Sequence, residues 1–165
     1  MIVTMELRGL DGVMKTLTEL PAAVVSTRGG PVLAALRKGA RVLLIEEQKA
    51  LDRVTSNATV TGKKESTGLL RKSLTIKRGK PPAGGNGERV IVTTKRVMYP
   101  RKGKPVSVRK TGQILEYGAE HQVAEPWVRS SFNAKAAEAI TTVESELVRR
   151  IDLIVKKLAA QNQGR

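Results

Sequence analysis

The one place where residue types and spacing could do acid–base or metal chemistry is the only histidine, His121, set among Glu116, Glu120 and Glu125. An imidazole and nearby carboxylates can share a proton or a cation if the chain folds them together. Nothing else completes such a site. The chain has no cysteine, which removes thiolate nucleophiles, thiolate metal ligands and a disulfide framework, and suits a reducing compartment. No serine stands in a G-x-S-x-G turn, so a Ser-His-Asp arrangement has no marked nucleophile. Gly62-Lys63-Lys64-Glu65-Ser66-Thr67-Gly68 superficially suggests a phosphate loop, but the G-K-[ST] ending is missing. The blander account is a loop and a helix end carrying ordinary acidic residues. On that account the chain is not an enzyme, and no residue is assigned as catalytic, cofactor-binding or metal-ligating. A hydrolase built on His121 and its neighbouring carboxylates remains the enzymatic alternative.

Charge points elsewhere. The 165 residues carry 30 Lys and Arg against 15 Asp and Glu, for a net charge of +15. Residues 1–62 hold 8 basic and 6 acidic side chains, residues 63–110 hold 15 and 2, and residues 111–165 hold 7 and 7. Almost all the excess therefore sits in one block, a localised positive field that suits a polyanion or an acidic protein partner. Lys63, Lys64, Lys77, Arg78, Lys95, Arg96, Arg101, Lys102, Lys104, Arg109 and Lys110 are its candidate contacts. Tyr99 is the only aromatic residue among them, so base stacking on single strands is not expected. The basic residues fall on expected strands and loops rather than on a recognition helix. Contact would be to the phosphate backbone, without sequence preference, and would weaken as salt rises. A solvated sheet-and-loop face would give the same pattern.

The elements that carry these residues follow from periodicity. The length suits one domain, 1–165. The apolar fraction is 40%, yet there are only one Trp, one Phe and two Tyr, so the core is aliphatic and part of the fold is expected to bury surface on a partner. No apolar run approaches the roughly 18 residues of a membrane span, and no signal peptide is evident, so no membrane contact is expected. Residues 2–8 alternate, with Val3, Met5 and Leu7 on one face, as a half-buried strand does. Asp11 can cap a short helix that ends at Leu20, before Pro21. Pro31 suits the first turn of a helix to about Val54, roughly 35 Å long. Leu33, Leu36, Ala40, Leu43, Leu44, Glu47 and Leu51 form its main stripe, and Val32, Ala35, Gly39 and Val42 a second face of smaller residues. A helix with two apolar faces is sandwiched, inside a core or between subunits.

Thr67 can cap a short helix, and Leu74–Arg78 then switches to period two. Gly79–Gly87 reads as a hairpin loop and Val90–Val92 as the return strand. Val97–Tyr99 could extend the sheet and Val106–Val108 could be strand again, within a basic loop or insertion at about 95–112. Thr111 is expected to cap a short helix through Tyr117, with Gly118 ending it in a left-handed conformation. From Pro126 a helical pattern runs to about Ala160 through Phe132, Ala136, Ile140, Val143, Leu147, Ile151, Ile154 and Leu158. Its spacing, nearer 3.7 than 3.5, favours packing on its own domain or a neighbouring subunit over a left-handed coiled coil. Residues 161–165 are expected to fray. The fold class is therefore α+β: a small antiparallel sheet packed with a long helix in the N-terminal half and a long C-terminal helix.

Two ordered patterns resemble one family. Thr67-Gly68-Leu69-Leu70-Arg71-Lys72-Ser73-Leu74 resembles the T-G-x-L-x-x-S-[IL] element of the neck and tail-completion proteins of tailed bacteriophages, a group that includes minor tail protein Z-like chains. Glu116-Tyr117-Gly118 followed by Pro126-Trp127-Val128-Arg129 resembles that family's E-[FY]-G and P-[FW]-[LV]-[RK] pair. Gly9-Leu10-Asp11 and Lys38-Gly39-Ala40 fall in matching order, and Tyr99–Gln113 departs as a longer basic insertion than the family's short link. The resemblance covers most of the chain. It implies a non-enzymatic virion component, made in the host bacterial cytoplasm and joining head connector to tail tube. Its partners would be copies of itself in a ring, with a hexamer the first guess, and neighbouring neck, connector, tail-terminator or tail-tube proteins. A ring with a basic lumen could also face DNA in the channel. The alternative is a basic protein of nucleoid or RNA-binding type.

Overall fold

The computed structural model describes residues 30–56, 67–81, 87–100 and 104–163. The expected strand at residues 2–8, the expected helix at 11–20, Lys63, Lys64, Arg101, Lys102 and the tip of the hairpin loop lie outside the described residues. The described elements are α1 (Gly30–Ser56), α2 (Leu69–Ser73), β1 (Leu74–Arg78), β2 (Val90–Thr94), β3 (Met98–Tyr99), β4 (Val106–Ser107), α3 (Val108–Tyr117) and α4 (Val128–Gln163). They form the α+β architecture that the periodicity implies.

The two faces of α1 explain the layers. Its small-residue face, Ala35 and Gly39, lies against α4, where Ala35, Val143 and Leu147 form one core cluster. Gly39 makes the close approach possible. A Cβ there would stand 2.4 Å from Val143 Cγ2 and 2.8 Å from the Ala139 carbonyl oxygen, so only glycine lets the two backbones come this near. The other end of α1 brings Ala50 and Leu51 into a second cluster with Leu70, Leu74, Val108, Leu115 and Trp127. The helix is sandwiched within its own domain, between α4 and the β1–β2 hairpin. Val143, Leu147 and Ile151 of the α4 stripe pack against Val32, Ala35 and Leu36 of α1.

An ion-pair cluster fastens the α1–α4 seam. Glu146, 3% exposed, accepts from Lys38 Nζ at 2.8 Å, from Arg149 at 2.7 and 3.1 Å and from Arg150 at 2.7 Å. Hydrogen bonding to these cations, Arg149 foremost, holds its carboxyl well below the usual carboxylate range.

Among the described residues the strands form two separate two-stranded antiparallel ladders. β1 pairs with β2 in the register Leu74↔Thr94 to Arg78↔Val90, and β3 pairs with β4. Val97–Tyr99 therefore does not extend the β1–β2 sheet. Val97 turns away to accept a bond from Val108 N at 2.9 Å, and Met98–Tyr99 pairs with Val106–Ser107 instead. Residues 106–112, read from sequence as part of a basic insertion, form β4 and the first half of α3, with Val108 fully buried.

Three local readings need correction. The cap of α3 is Ser107, which accepts from Lys110 N at 3.1 Å; Thr111 lies inside the helix. The N-cap of α2 is Gly68 at φ +64°, not Thr67, whose hydroxyl accepts only from Leu69 N at 3.4 Å. Gly118 does have positive φ, +80°, but with ψ 178° it is extended rather than left-handed helical. At its far end, α4 continues to Gln163, three residues beyond the expected stop.

Candidate functional site

α3 and the start of α4 are locked by residues that sequence groups into two motifs. Glu116 is 4% exposed, and its carboxylate accepts from Val128 N at 2.7 Å and Arg129 N at 3.2 Å. These are first-turn amides of α4, which have no partner within their own helix. Glu116 therefore caps α4 from another element, where a negative charge also meets the positive end of the helix dipole. The Arg129 guanidinium completes the lock. It donates to Glu116 Oε1 at 2.9 Å and to the Glu116 carbonyl at 3.1 Å, and lies 5.3 Å from the Tyr117 ring centroid.

Trp127, 4% exposed, donates from its indole nitrogen to the Gly112 carbonyl at 3.1 Å. Gly112 is small for a reason: a Cβ there would be 3.3 Å from Leu70 and 3.4 Å from the Trp127 ring. The chain between the two motifs is also fixed. Glu125 N donates to the Leu115 carbonyl at 2.7 Å, and Ala119 and Gln122 exchange backbone bonds of 2.8 and 3.0 Å. Gly118 starts that turn, and a Cβ on it would lie 2.9 Å from the Gln122 carbonyl oxygen. Pro126 is exposed, immediately before Trp127.

This geometry disperses the one candidate acid–base group. His121 and Glu120 sit exposed at the tip of the Ala119–Gln122 turn, whereas Glu116 is turned inward on α4. No group of three or more His, Asp or Glu among the described residues is placed to hold a metal. The T-G-x-L-x-x-S element is structural as well. Leu70 is core, Leu69 packs against it, and buried Ser73 donates to the Leu70 carbonyl at 2.8 Å. Burial pushes the pKa of the Tyr99 hydroxyl up, and the nearby Thr111 and Thr67 side chains oppose the shift.

A cleft of about 320 Å³ opens between β2 and α3, floored by Leu43 and Glu47 of α1 and closed at one end by Trp127 and Phe132. Glu47 is a residue that sequence placed in an apolar stripe and gave no role. Its side chain accepts no hydrogen bond and no ion pair from the described residues, and it is 9% exposed. Burial first, and the nearby Glu116 carboxylate second, push its pKa up to about 7. The sequence signal for it was a glutamate at a buried helical position.

Of the basic candidates, Arg78 is paired with Glu88, at 2.8 Å through Nε. The Val108–Val97 backbone bond brings Lys95 and Arg96 beside Arg109 and Lys110, in the first turn of α3. These four, with Lys77 and Lys104, are exposed and have no ion pair among the described residues. No described helix is long and apolar enough to cross a membrane. Comparison with protein-family models, with curated proteins and with solved structures returns no match.

Proposed function

We propose that the protein is a non-enzymatic structural component of a tailed-phage virion. It acts in the neck or tail-completion region as a ring of copies between head connector and tail tube. The observation that carries the reading is the α3–α4 joint. The residues that give the chain its family resemblance, Glu116, Tyr117, Gly118, Trp127 and Arg129, are used in caps, turns and packing rather than in a reactive site. A protein whose distinctive residues are spent on rigidity suits a scaffold that must hold shape. Val148, Leu153 and Val155 add exposed apolar surface along the C-terminal half of α4, of the kind that neighbouring copies cover. Electron microscopy of particles from a phage lacking the gene tests this. Unjoined heads and tails, restored by supplying the protein, are expected; normal particles would overturn the proposal.

A second reading, non-specific polyanion binding, is favoured by exposed Lys95, Arg96, Arg109 and Lys110, which have no ion pair among the described residues. Two of these cations sit in the first turn of α3, where the helix dipole already disfavours positive charge. Duplex DNA titrated at two salt concentrations should show affinity that falls steeply with salt. No binding at low salt would remove this reading.

A further inference from the structure

Among the described residues, the β1–β2 ladder leaves one edge of β2 unpaired along the cleft. Gly79 N donates to the Arg89 carbonyl at 2.8 Å and Lys95 N to the Ser73 carbonyl at 2.8 Å. In an antiparallel ladder the bonded positions alternate, so Ile91 and Thr93 face β1. The N–H and C=O groups of Val90, Val92 and Thr94 therefore point to the other edge, and no described residue pairs with them. The same three side chains share a face with buried Leu74, toward α1. Five consecutive residues, Val90-Ile91-Val92-Thr93-Thr94, carry no lysine or proline to guard that edge. A two-stranded hairpin is marginal alone; a third strand with apolar residues over the cleft floor would complete it.

We infer that the cleft between β2 and α3 is a strand-acceptor groove, and that its occupant is the segment Ile2–Arg8 of the same chain, added beside β2. The sequence contains one further stretch that alternates as a half-buried strand, and this is it: Val3, Met5 and Leu7 are apolar on one face, and Thr4, Glu6 and Arg8 are polar on the other. Val3, Met5 and Leu7 would join Val90 and Val92 over Leu43 and Glu47. Apolar cover there matches the Glu47 carboxyl, which has no hydrogen-bond or ion-pair partner among the described residues and whose charged form burial disfavours. The described chain starts at Gly30, about 25 Å along α1 from Glu47 at 1.5 Å per residue. Residues 9–29 can span more than twice that distance if extended, at about 3.3 Å each. A tethered segment that reaches its site outcompetes a second copy at micromolar concentration, because its effective concentration is on the order of millimolar.

The test uses the full chain and a chain lacking residues 1–8, both at a concentration at which light scattering shows each to be monomeric. Amide hydrogen exchange should show Val92 and Thr94 protected in the full chain, and at least about 100-fold faster in the truncated one. Ile91 and Thr93, bonded to β1, report whether the hairpin survives. Exchange at Val92 and Thr94 that is fast in both chains, or slow in both, overturns the inference. If the truncated chain fails to fold, the cysteine-free sequence allows a second measurement in full-length protein. Thr4→Cys or Glu6→Cys is paired with Ile91→Cys or Thr93→Cys, positions on the same face of the completed sheet. At least one pair should form an intramolecular disulfide under mild oxidation. Failure of all pairs, or disulfides only between molecules, overturns it. Neither readout depends on ring assembly, so a failure here leaves the structural proposal standing.

Discussion

Glu47→Gln should stabilise this protein at alkaline pH and do little at pH 5. The folded protein holds a proton on Glu47 between pH 4.5 and about 7 that the unfolded chain has released. Stability therefore falls as pH rises through that window and levels off above it. The shift, at 1.36 kcal/mol per unit, makes the charged buried form cost about 3 kcal/mol at pH 8. Glutamine keeps the shape and polarity without the charge, so the variant escapes this loss. The gain at pH 8 corresponds to a rise in Tm of about 6–12 °C for a chain of this size. Thermal or urea unfolding of both proteins at pH 5, 6, 7 and 8 checks it. Glu146 shifts in the opposite direction, and its stabilisation is lost only as pH falls below the ordinary carboxylate range, in both proteins alike. The difference between variant and parent thus isolates Glu47. Equal stability at pH 8, or a difference that does not shrink toward pH 5, would refute the reasoning.

Other perturbations address the joint and the helix seam. Gly118→Val places a Cβ at positive φ and 2.9 Å from a backbone oxygen, and should lower stability by at least about 2 kcal/mol in denaturant titration. Trp127→Ala opens a cavity in the second core cluster and removes the indole donor to the Gly112 carbonyl, for about 3–5 kcal/mol. Normal melting of both variants would mean that the joint does not organise the fold. Glu116→Gln weakens the cap on α4 and should cost about 2 kcal/mol; it also lowers the pKa of Glu47, which NMR titration would detect. Gly39→Ala should push α1 and α4 apart and cost about 1–3 kcal/mol. Val143→Ala in the same chain should recover only part of this, because the Ala139 carbonyl is still 2.8 Å away.

Sequence reasoning succeeded where one element's periodicity is sufficient evidence. The span of α1, the β1–β2 hairpin and the C-terminal helix are local patterns, and each formed close to its expected bounds. It fell short where two candidate partners are equally near in sequence. Thr111 and Ser107 are both competent caps, and the Val97–Val108 backbone bond settles the choice by starting the helix at Val108. Val97–Tyr99 had two strands to pair with, and the later one won.

The candidate site divides in the same way. The sequence by itself determined that Glu116-Tyr117-Gly118 and Pro126-Trp127-Val128-Arg129 belong to one feature, that a glycine must follow Tyr117, and that positive charge concentrates in residues 63–110. Only the tertiary structure decided what the feature does. A carboxylate twelve residues upstream serves as the cap of α4, because folding brings it to amides that lack partners in their own helix. Tertiary packing also turned Glu47 from one more stripe position into a buried carboxyl at the base of a cleft. Burial and charge proximity depend on distance through space, and periodicity along the chain reports only the face on which a residue lies.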